Sequence, residues 1–325
     1  AHGGLYRNGT FGASPQAEIA RSGHSGQAGP ALTQIPQEAF LSRIAYVNGS
    51  YVRHADACVH IEDRGYQFAD GVYEVCGVRG GRLMDEELHM ERLAGSLAAL
   101  RIAPPMGGPA LRHVMREIVR RNRIETGMVY LQVTRGVAHR DHPFPLPEVR
   151  PSIVVTAKRL NPALIAFAVE HGITAITLPD QRWARRDIKS IALLPNVLAK
   201  QMAREAGAYE AWLVDHEGFV TEGSSTNAWI VDENERILTR PAGPDILNGV
   251  TRRVLIEAAR QTGIEVVERA FTPQEARAAR EAFVSASSAI ILPVVRIDDK
   301  QIGNGTPGPV TLRLREAYAL AGRLS

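Results

Sequence analysis

Strand-like and helix-like runs alternate along most of this 325-residue chain, and no internal repeat organises them. Ala45-Tyr46-Val47-Asn48-Gly49-Ser50-Tyr51-Val52 joins two short β-prone runs through Asn-Gly, the dipeptide that supplies the two positive-φ positions of a tight hairpin turn. Residues 72–78 form a further strand, which Gly80-Gly81 turns into Arg82-Leu83-Met84. The period then changes. Asp85 stands where a helix N-cap belongs, Glu86 and Glu87 suit the first turn, and Leu93, Leu97 and Leu100 fall on one stripe. Residues 109–123 repeat that pattern with Leu111, Val114, Met115, Ile118 and Val119, behind a proline at the first helical position.

Residues 128–134 and 152–157 read as strands around an irregular loop, His139-Arg140-Asp141-His142-Pro143-Phe144-Pro145. Leu160-Asn161-Pro162 is the candidate domain boundary. Beyond it the pattern predicts strands at 173–178, 211–214, 227–231, 237–238, 265–269, 282–285 and 294–297. It predicts helices at 194–205, 251–262 and 310–323. Many strands with interspersed helices make an α+β or mixed class. The expected division is a flexible N-terminal extension over 1–40, rich in Gly, Ser, Ala and Gln, a small domain over 41–161 and a large one over 162–325.

Composition narrows the function classes. Hydrophobic residues make up 45% and charged residues 22%, ordinary for a globular protein. The net charge of +3 comes without a basic run interleaved with aromatics, so nucleic acid is not an expected partner. No apolar run has the length of a membrane span, and the N-terminus lacks the apolar core of a secretory signal. Two cysteines, Cys58 and Cys76, without metal-ligand spacing, argue against a zinc site or a disulfide framework and suit a reducing cytoplasm.

Of the 38 basic residues only four are lysines: Lys158, Lys189, Lys200 and Lys300. Arginine supplies charge, but only lysine readily gives up its proton and forms a Schiff base. Lys189 alone sits in a connection crowded with cations, Arg185-Arg186-Asp187-Ile188-Lys189-Ser190, ahead of an apolar helix. If Arg185 and Arg186 lie close to it, they favour its neutral amine.

A Schiff-base lysine is useful beside an aldehyde cofactor with an electron-sink ring, which needs a partner for its ring nitrogen, a phosphate cradle and groups that orient substrate. Thr221-Glu222-Gly223-Ser224-Ser225-Thr226-Asn227 offers a carboxylate in a small-residue turn between strands; a solvated hairpin end fits it equally. The same stretch lacks the second glycine of a hydrolase nucleophile elbow. Asn248-Gly249-Val250-Thr251 opens a helix whose first N–H groups favour an anion, though ordinary capping uses the same residues. Ser285, Ser287 and Ser288 could add hydroxyl donors, and Arg92 a cation. Arg140 and His142, two residues apart, can point the same way at a carboxylate, or simply belong to a charged loop.

Together, Glu62-Asp63-Arg64-Gly65-Tyr66-Gln67-Phe68-Ala69-Asp70-Gly71-Val72-Tyr73-Glu74-Val75, Asp187-Ile188-Lys189-Ser190, Thr221-Glu222-Gly223-Ser224-Ser225 and Leu247-Asn248-Gly249-Val250-Thr251-Arg252 resemble the fold-type IV pyridoxal-phosphate enzymes, and among them the bacterial D-amino-acid aminotransferases. The resemblance runs from Ala45 to the C-terminus. It implies an α+β fold with a small N-terminal α/β domain and a larger, β-rich pseudo-barrel domain. It implies pyridoxal 5'-phosphate on Lys189 as a Schiff base, Glu222 against the ring nitrogen, and Arg92, Val250, Thr251 and Ser287 around the phosphate. Ser224 and Ser225 would line the cofactor, and Tyr73, Arg140 and His142 would take the substrate carboxylate, the last two from the partner of a homodimer. The implied activity is ping-pong transamination from a D-amino acid such as D-alanine to 2-oxoglutarate or pyruvate. The Arg-x-His loop points away from the related branched-chain L-amino-acid and (R)-amine aminotransferases and from aminodeoxychorismate lyase. The chain departs from the family in Thr226 and in the sparse hydroxyls of Ser285-Ala286-Ser287-Ser288-Ala289-Ile290, which bears on substrate range.

Overall fold

The computed structural model describes residues 43–321; the extension expected over 1–40 lies outside them, as do the last residues of the C-terminal helix expected to reach 323. The first hairpin is β1 (Ile44–Val47) and β2 (Ser50–Arg53), with Asn48 at φ 47° and Gly49 at φ 104°, as its turn requires. A short helix α1 (Arg64–Phe68) follows, capped by Asp63, whose side chain accepts from the Gly65 N–H. Then come β3 (Gly71–Arg79), β4 (Arg82–Leu83), α2 (Glu86–Ala99), α3 (Gly108–Arg121), β5 (Thr126–Thr134) and β6 (Ser152–Arg159). The strands make a six-stranded antiparallel sheet in the order β2-β1-β6-β5-β3-β4. The expected stripe of α3 is wholly buried, and with Leu93 and Leu97 of α2 it covers one face of this sheet. Asp85 does precede α2, but its side chain does not cap that helix; it accepts from the Tyr318 hydroxyl at 2.6 Å.

The rest of the chain builds a second sheet. It starts with a helix the sequence pattern did not predict, α4 (Pro162–His171), capped by Asn161. There follow β7 (Ile173–Pro179), α5 (Leu194–Glu205), β8 (Glu210–Val214), β9 (Val220–Gly223), β10 (Asn227–Val231), β11 (Ile237–Thr239) and α6 (Val250–Gln261). Last are β12 (Val266–Glu268), α7 (Pro273–Ala278), β13 (Glu281–Ala286), β14 (Ile290–Ile297), β15 (Lys300–Gln301) and α8 (Pro309–Ala321). The nine strands run β12-β11-β10-β13-β14-β7-β8-β9, with β15 on β14. β9 is the edge of that order, yet three residues, Ser224 to Thr226, join it to β10 deep inside the sheet. So short a link is possible only if the sheet curls until its edge approaches its middle, giving a partly closed barrel. The mixed fold with a curled, β-rich second half is the one expected. Thr221, Glu222 and Gly223 belong to a buried strand rather than to the turn, which is confined to Ser224–Thr226.

The two sheets meet at one end of β3. The Tyr73 N–H donates to the Lys189 carbonyl at 3.0 Å and the Ile191 N–H to the Gly71 carbonyl at 3.1 Å, so the Lys189 segment runs along β3. Gly71 allows that approach: a Cβ there would stand 3.0 Å from Ile191 Cδ1 and 2.6 Å from the Val133 carbonyl oxygen. Ile188 is buried in the core of the first sheet, which fixes the next residue, Lys189, at the junction.

Candidate active site

A cavity of about 300 Å³ opens at this junction, within the range of small-molecule sites. β3 supplies one wall. Its side chains alternate, so Val72, Glu74 and Cys76 enter the core while Tyr73 and Val75 face the cavity. The Lys189 Nζ stands 4.1 Å from the centroid of the Tyr73 ring, which itself stacks on Tyr130 at 5.6 Å. Arg186 lines the same cavity as Lys189. Both cations of that connection are drawn to carboxylates, Arg185 to Asp187 at 2.9 Å and Arg186 to Asp180 and Asp245.

The opposite wall is β9, its turn, and the N-terminus of α6. Glu222 is buried, accepting from Arg182 Nη1 at 2.5 Å, Asn227 Nδ2 at 2.9 Å and the Leu247 N–H at 3.2 Å. Burial pushes its carboxyl above the ordinary range, against the pull of Arg182, the Leu247 N–H and Lys189. Ser224, Ser225, Val250, Thr251 and Ser287 all line the cavity. Gly249, the N-cap of α6, has no side chain to satisfy the first N–H groups of the helix, which stay available to an anion. A Cβ at Gly249 would collide with Asn227 Oδ1 at 2.2 Å, so the helix end can sit this close to the wall only as glycine. Thr251 and Ser287 bring their hydroxyls to 3.5 Å of one another beside that helix end. Ser285, by contrast, is occupied: its Oγ accepts from Trp229 Nε1 at 2.9 Å.

Arg92 reaches the cavity from α2, but most of its fork is committed. Nε and Nη2 donate to the two oxygens of Glu74, both at 2.8 Å, and Nη1 makes only a long 3.3 Å bond to the Asn248 carbonyl. Glu74 also takes a 2.7 Å bond from His89 Nδ1. Burial alone would raise Glu74; Arg92 first and His89 second bring it down to about 2. Glu74 was not singled out from the sequence, although Val72-Tyr73-Glu74-Val75-Cys76 puts a carboxylate on the core face of a strand, where it must find partners. Glu210 was missed too. Fully buried, it gathers the Ser224, Ser225 and Thr226 hydroxyls and the Ala211 N–H, and so shapes the turn that bounds the cavity. Arg182, which ties Asp180 and Glu222 together, was likewise unassigned.

Arg140 and His142 are not in the cavity of their own chain. They are exposed, on the loop between β5 and β6. The structure therefore brings together Lys189, Tyr73, Arg92, Glu222, Ser224, Ser225, Val250, Thr251 and Ser287, and leaves the expected carboxylate-binding pair outside.

Residues 71–297, well over half of the chain, match the amino-transferase class IV family. The chain belongs to the class IV aminotransferases. D-alanine aminotransferase of Staphylococcus haemolyticus is 40% identical over 274 residues, 84% of this chain and 95% of its own length. That of Listeria monocytogenes is 42% identical over 274 residues, 84% of this chain and 93% of its own. Among solved structures, a T.th. branched-chain amino acid aminotransferase, determined with pyridoxamine 5'-phosphate, superposes with a TM-score of 0.78 at 29% identity, covering 86% of this chain and 93% of that one. The Escherichia coli branched-chain enzyme gives 0.77 at 26%, with 86% and 93% covered. The class IV match takes in strands of both sheets and every residue of the cavity wall named above.

Proposed function

We propose that this class IV aminotransferase uses pyridoxal 5'-phosphate to transfer the amino group of D-amino acids such as D-alanine to a 2-oxo acid, 2-oxoglutarate or pyruvate, in a ping-pong cycle. The observation that carries the reading is one cavity faced by a lysine amine, a buried carboxyl and an unpartnered helix N-terminus. These fit the cofactor's aldehyde, ring nitrogen and phosphate. The relatives at 40% and 42% identity carry the D-alanine name, while the branched-chain neighbours lie at 26% and 29%, which favours the D-specific reading over the branched-chain one.

When bound, pyridoxal phosphate supplies the carbonyl that takes up the amine and the ring that accepts electrons from the substrate α-carbon. Lys189 is the residue that would hold the cofactor through its amine, and its Nζ would move the proton on and off the substrate α-carbon. Tyr73, packed under that amine, holds it at the junction and borders the substrate. Glu222 would face the ring nitrogen and share a proton with it, a role that suits a carboxyl raised by burial. The N–H groups of Val250 and Thr251, with the Thr251 and Ser287 hydroxyls and the remaining Nη1 of Arg92, would hold the phosphate. Ser224 and Ser225, tethered by Glu210, line the cofactor.

Arg140 and His142 receive the substrate carboxylate in the cavity of a partner subunit. A homodimer is supported by their exposure and by an apolar stripe on α5, Leu194, Val197, Leu198 and Met202, each 50% to 69% exposed at helical spacing beside the cavity. The two sheets support a division into two domains, with the chain passing from one to the other at Leu160-Asn161-Pro162. The free thiols of Cys58 and Cys76 support a cytoplasmic home. Among the described residues no helix is long and apolar enough to cross a membrane.

The test is an absorbance spectrum of the purified holoenzyme before and after D-alanine, and separately L-alanine, without acceptor. Loss of the visible band of the lysine-bound cofactor with D-alanine alone is expected. Loss with L-alanine alone would move the chain to the branched-chain activity. The absence of any visible band after adding pyridoxal phosphate would end the cofactor assignment.

A further inference from the structure

The loop that carries Arg140 and His142 has no helix or strand, and most of its side chains stand in solvent. Free side chains of this kind lose rotamer freedom when they bind, which subtracts from affinity. Yet this loop is gripped from beneath. The Arg64 guanidinium, only 3% exposed, donates through Nη1 to the Asp141 carbonyl at 2.6 Å and through Nη2 to the His142 carbonyl at 3.2 Å. Its Nε is held by Asp70 at 2.8 Å, and Asp70 is fixed in turn by two bonds from Arg135, at 2.7 Å and 3.0 Å. A buried cation thus spends two of its arms on main-chain carbonyls of an exposed loop, at the two residues that follow Arg140.

Phe68 orders the side chains. Arg140 Cζ lies 4.8 Å from its ring centroid, and the His142 ring centroid lies 5.5 Å away. Arg64 Cζ also sits 4.8 Å from that centroid. Arg140 and His142 therefore share one aromatic support, itself placed by a helix whose cap Asp63 is tied to β5 through the Thr134 hydroxyl at 2.9 Å.

We infer that Arg64 and Phe68 are positioning residues for the substrate carboxylate: Arg64 fixes the loop backbone, and Phe68 holds Arg140 and His142 together as a preformed pair. The inference rests on the assignment of that pair to the carboxylate. Arg64 is buried with its arms on loop carbonyls and Phe68 packs on Arg140 and His142, so both act through the loop.

The experiment measures kcat and KM for D-alanine, and the Kd of pyridoxal phosphate, in the wild-type holoenzyme and in Arg140→Ala, Arg64→Lys, Phe68→Leu and Phe68→Tyr. Arg140→Ala tests the assignment of the pair. Arg64→Lys keeps the charge on Asp70 but lacks the fork, and Phe68→Tyr keeps the ring. The expected result is a KM raised about 10-fold in Arg64→Lys and Phe68→Leu, with kcat within about 3-fold, cofactor Kd unchanged, and KM restored in Phe68→Tyr. A KM that rises in Arg140→Ala but stays at the wild-type value in Arg64→Lys and Phe68→Leu would overturn the inference and leave the pair's assignment standing. A KM that Arg140→Ala leaves unchanged would remove that assignment, and the inference with it. Parallel losses of kcat and cofactor affinity in Arg64→Lys and Phe68→Leu would reduce both residues to structural supports and also overturn the inference.

Discussion

The wall around Glu222 and the loop around Arg140 are built from the same materials, guanidiniums set against carboxylates and carbonyls, but they are finished differently. In the wall every partner is internal. Arg182 joins Asp180 and Glu222, Glu210 gathers three hydroxyls, and these carboxylates are buried. In the loop only the base is internal. Arg64 and Arg135 are buried on Asp70, while Arg140 and His142 end in solvent with an aromatic ring for company. Desolvated charge is tolerable only when paired, so the wall is a closed network that one chain completes. An exposed guanidinium carries no such obligation and remains free to pair with something that arrives later.

The largest effect separates the lysine from both regions. Lys189→Ala is expected to lower kcat about 10⁴-fold, since among the described residues no other amine lines the cavity to move the proton. The fold should survive, because the Lys189 segment is held by its backbone bond to Tyr73 and by Ile188, and Nζ adds only its contact with the Tyr73 ring. Circular dichroism and the thermal midpoint check the second half. Transamination close to wild-type in this variant would sink the assignment of the lysine.

Next comes a second closed network, Glu74 with Arg92 and His89, in acid. Glu74, normally near 4.5, stands at about 2 because Arg92 and His89 outweigh its burial. A carboxylate depressed in the folded state stabilises fully above its unfolded value, and that contribution drains away as pH falls from about 4.5 through 2. The difference is worth about 3 kcal/mol. Glu74→Gln should therefore flatten the pH dependence of urea-unfolding free energy in that window. An unchanged slope would show that Glu74 is not held by its two partners. Glu210→Gln sharpens the same point at neutral pH. It leaves three hydroxyls with a weaker acceptor and is expected to cost about 2 kcal/mol of stability.

These networks also mark where the sequence stopped being legible. The α3 stripe and the Asn48-Gly49 turn were readable because period and turn chemistry are local. Lys189 stood out because arginine had taken nearly every other cationic position. β9 was not readable: Thr221, Glu222 and Gly223 look like a polar turn until Arg182, forty residues earlier, is seen to neutralise the glutamate. α4 was passed over because Ala163-Leu164-Ile165-Ala166-Phe167-Ala168-Val169 is apolar all round and gives no stripe; none of its residues is fully buried. Glu74 obeys strand alternation, which places it inward, and Glu210 opens a strand buried on both faces, but nothing local names their partners. The spacing of Arg140 and His142 suggested a pair, and the shared ring of Phe68 could not be seen without the fold.

The smallest expected effect is on the other side of the comparison. Arg140→Ala removes a guanidinium from the face of Phe68, a contact worth about 0.5 kcal/mol at an exposed site, and breaks no buried pair. Its unfolding free energy should stay within about 0.5 kcal/mol of wild type while its KM for D-alanine rises. Glu210→Gln makes the sharpest contrast. One carboxylate in the wall has its partners already present and is expected to matter to the fold; one cation on the loop is exposed and, on the proposed reading, is expected to matter to binding. If Arg140→Ala instead unfolds as easily as Glu210→Gln, the loop is a structural brace whose charge is consumed within its own chain, and the search for the carboxylate site would return to Arg182 and Arg186 in the cavity wall.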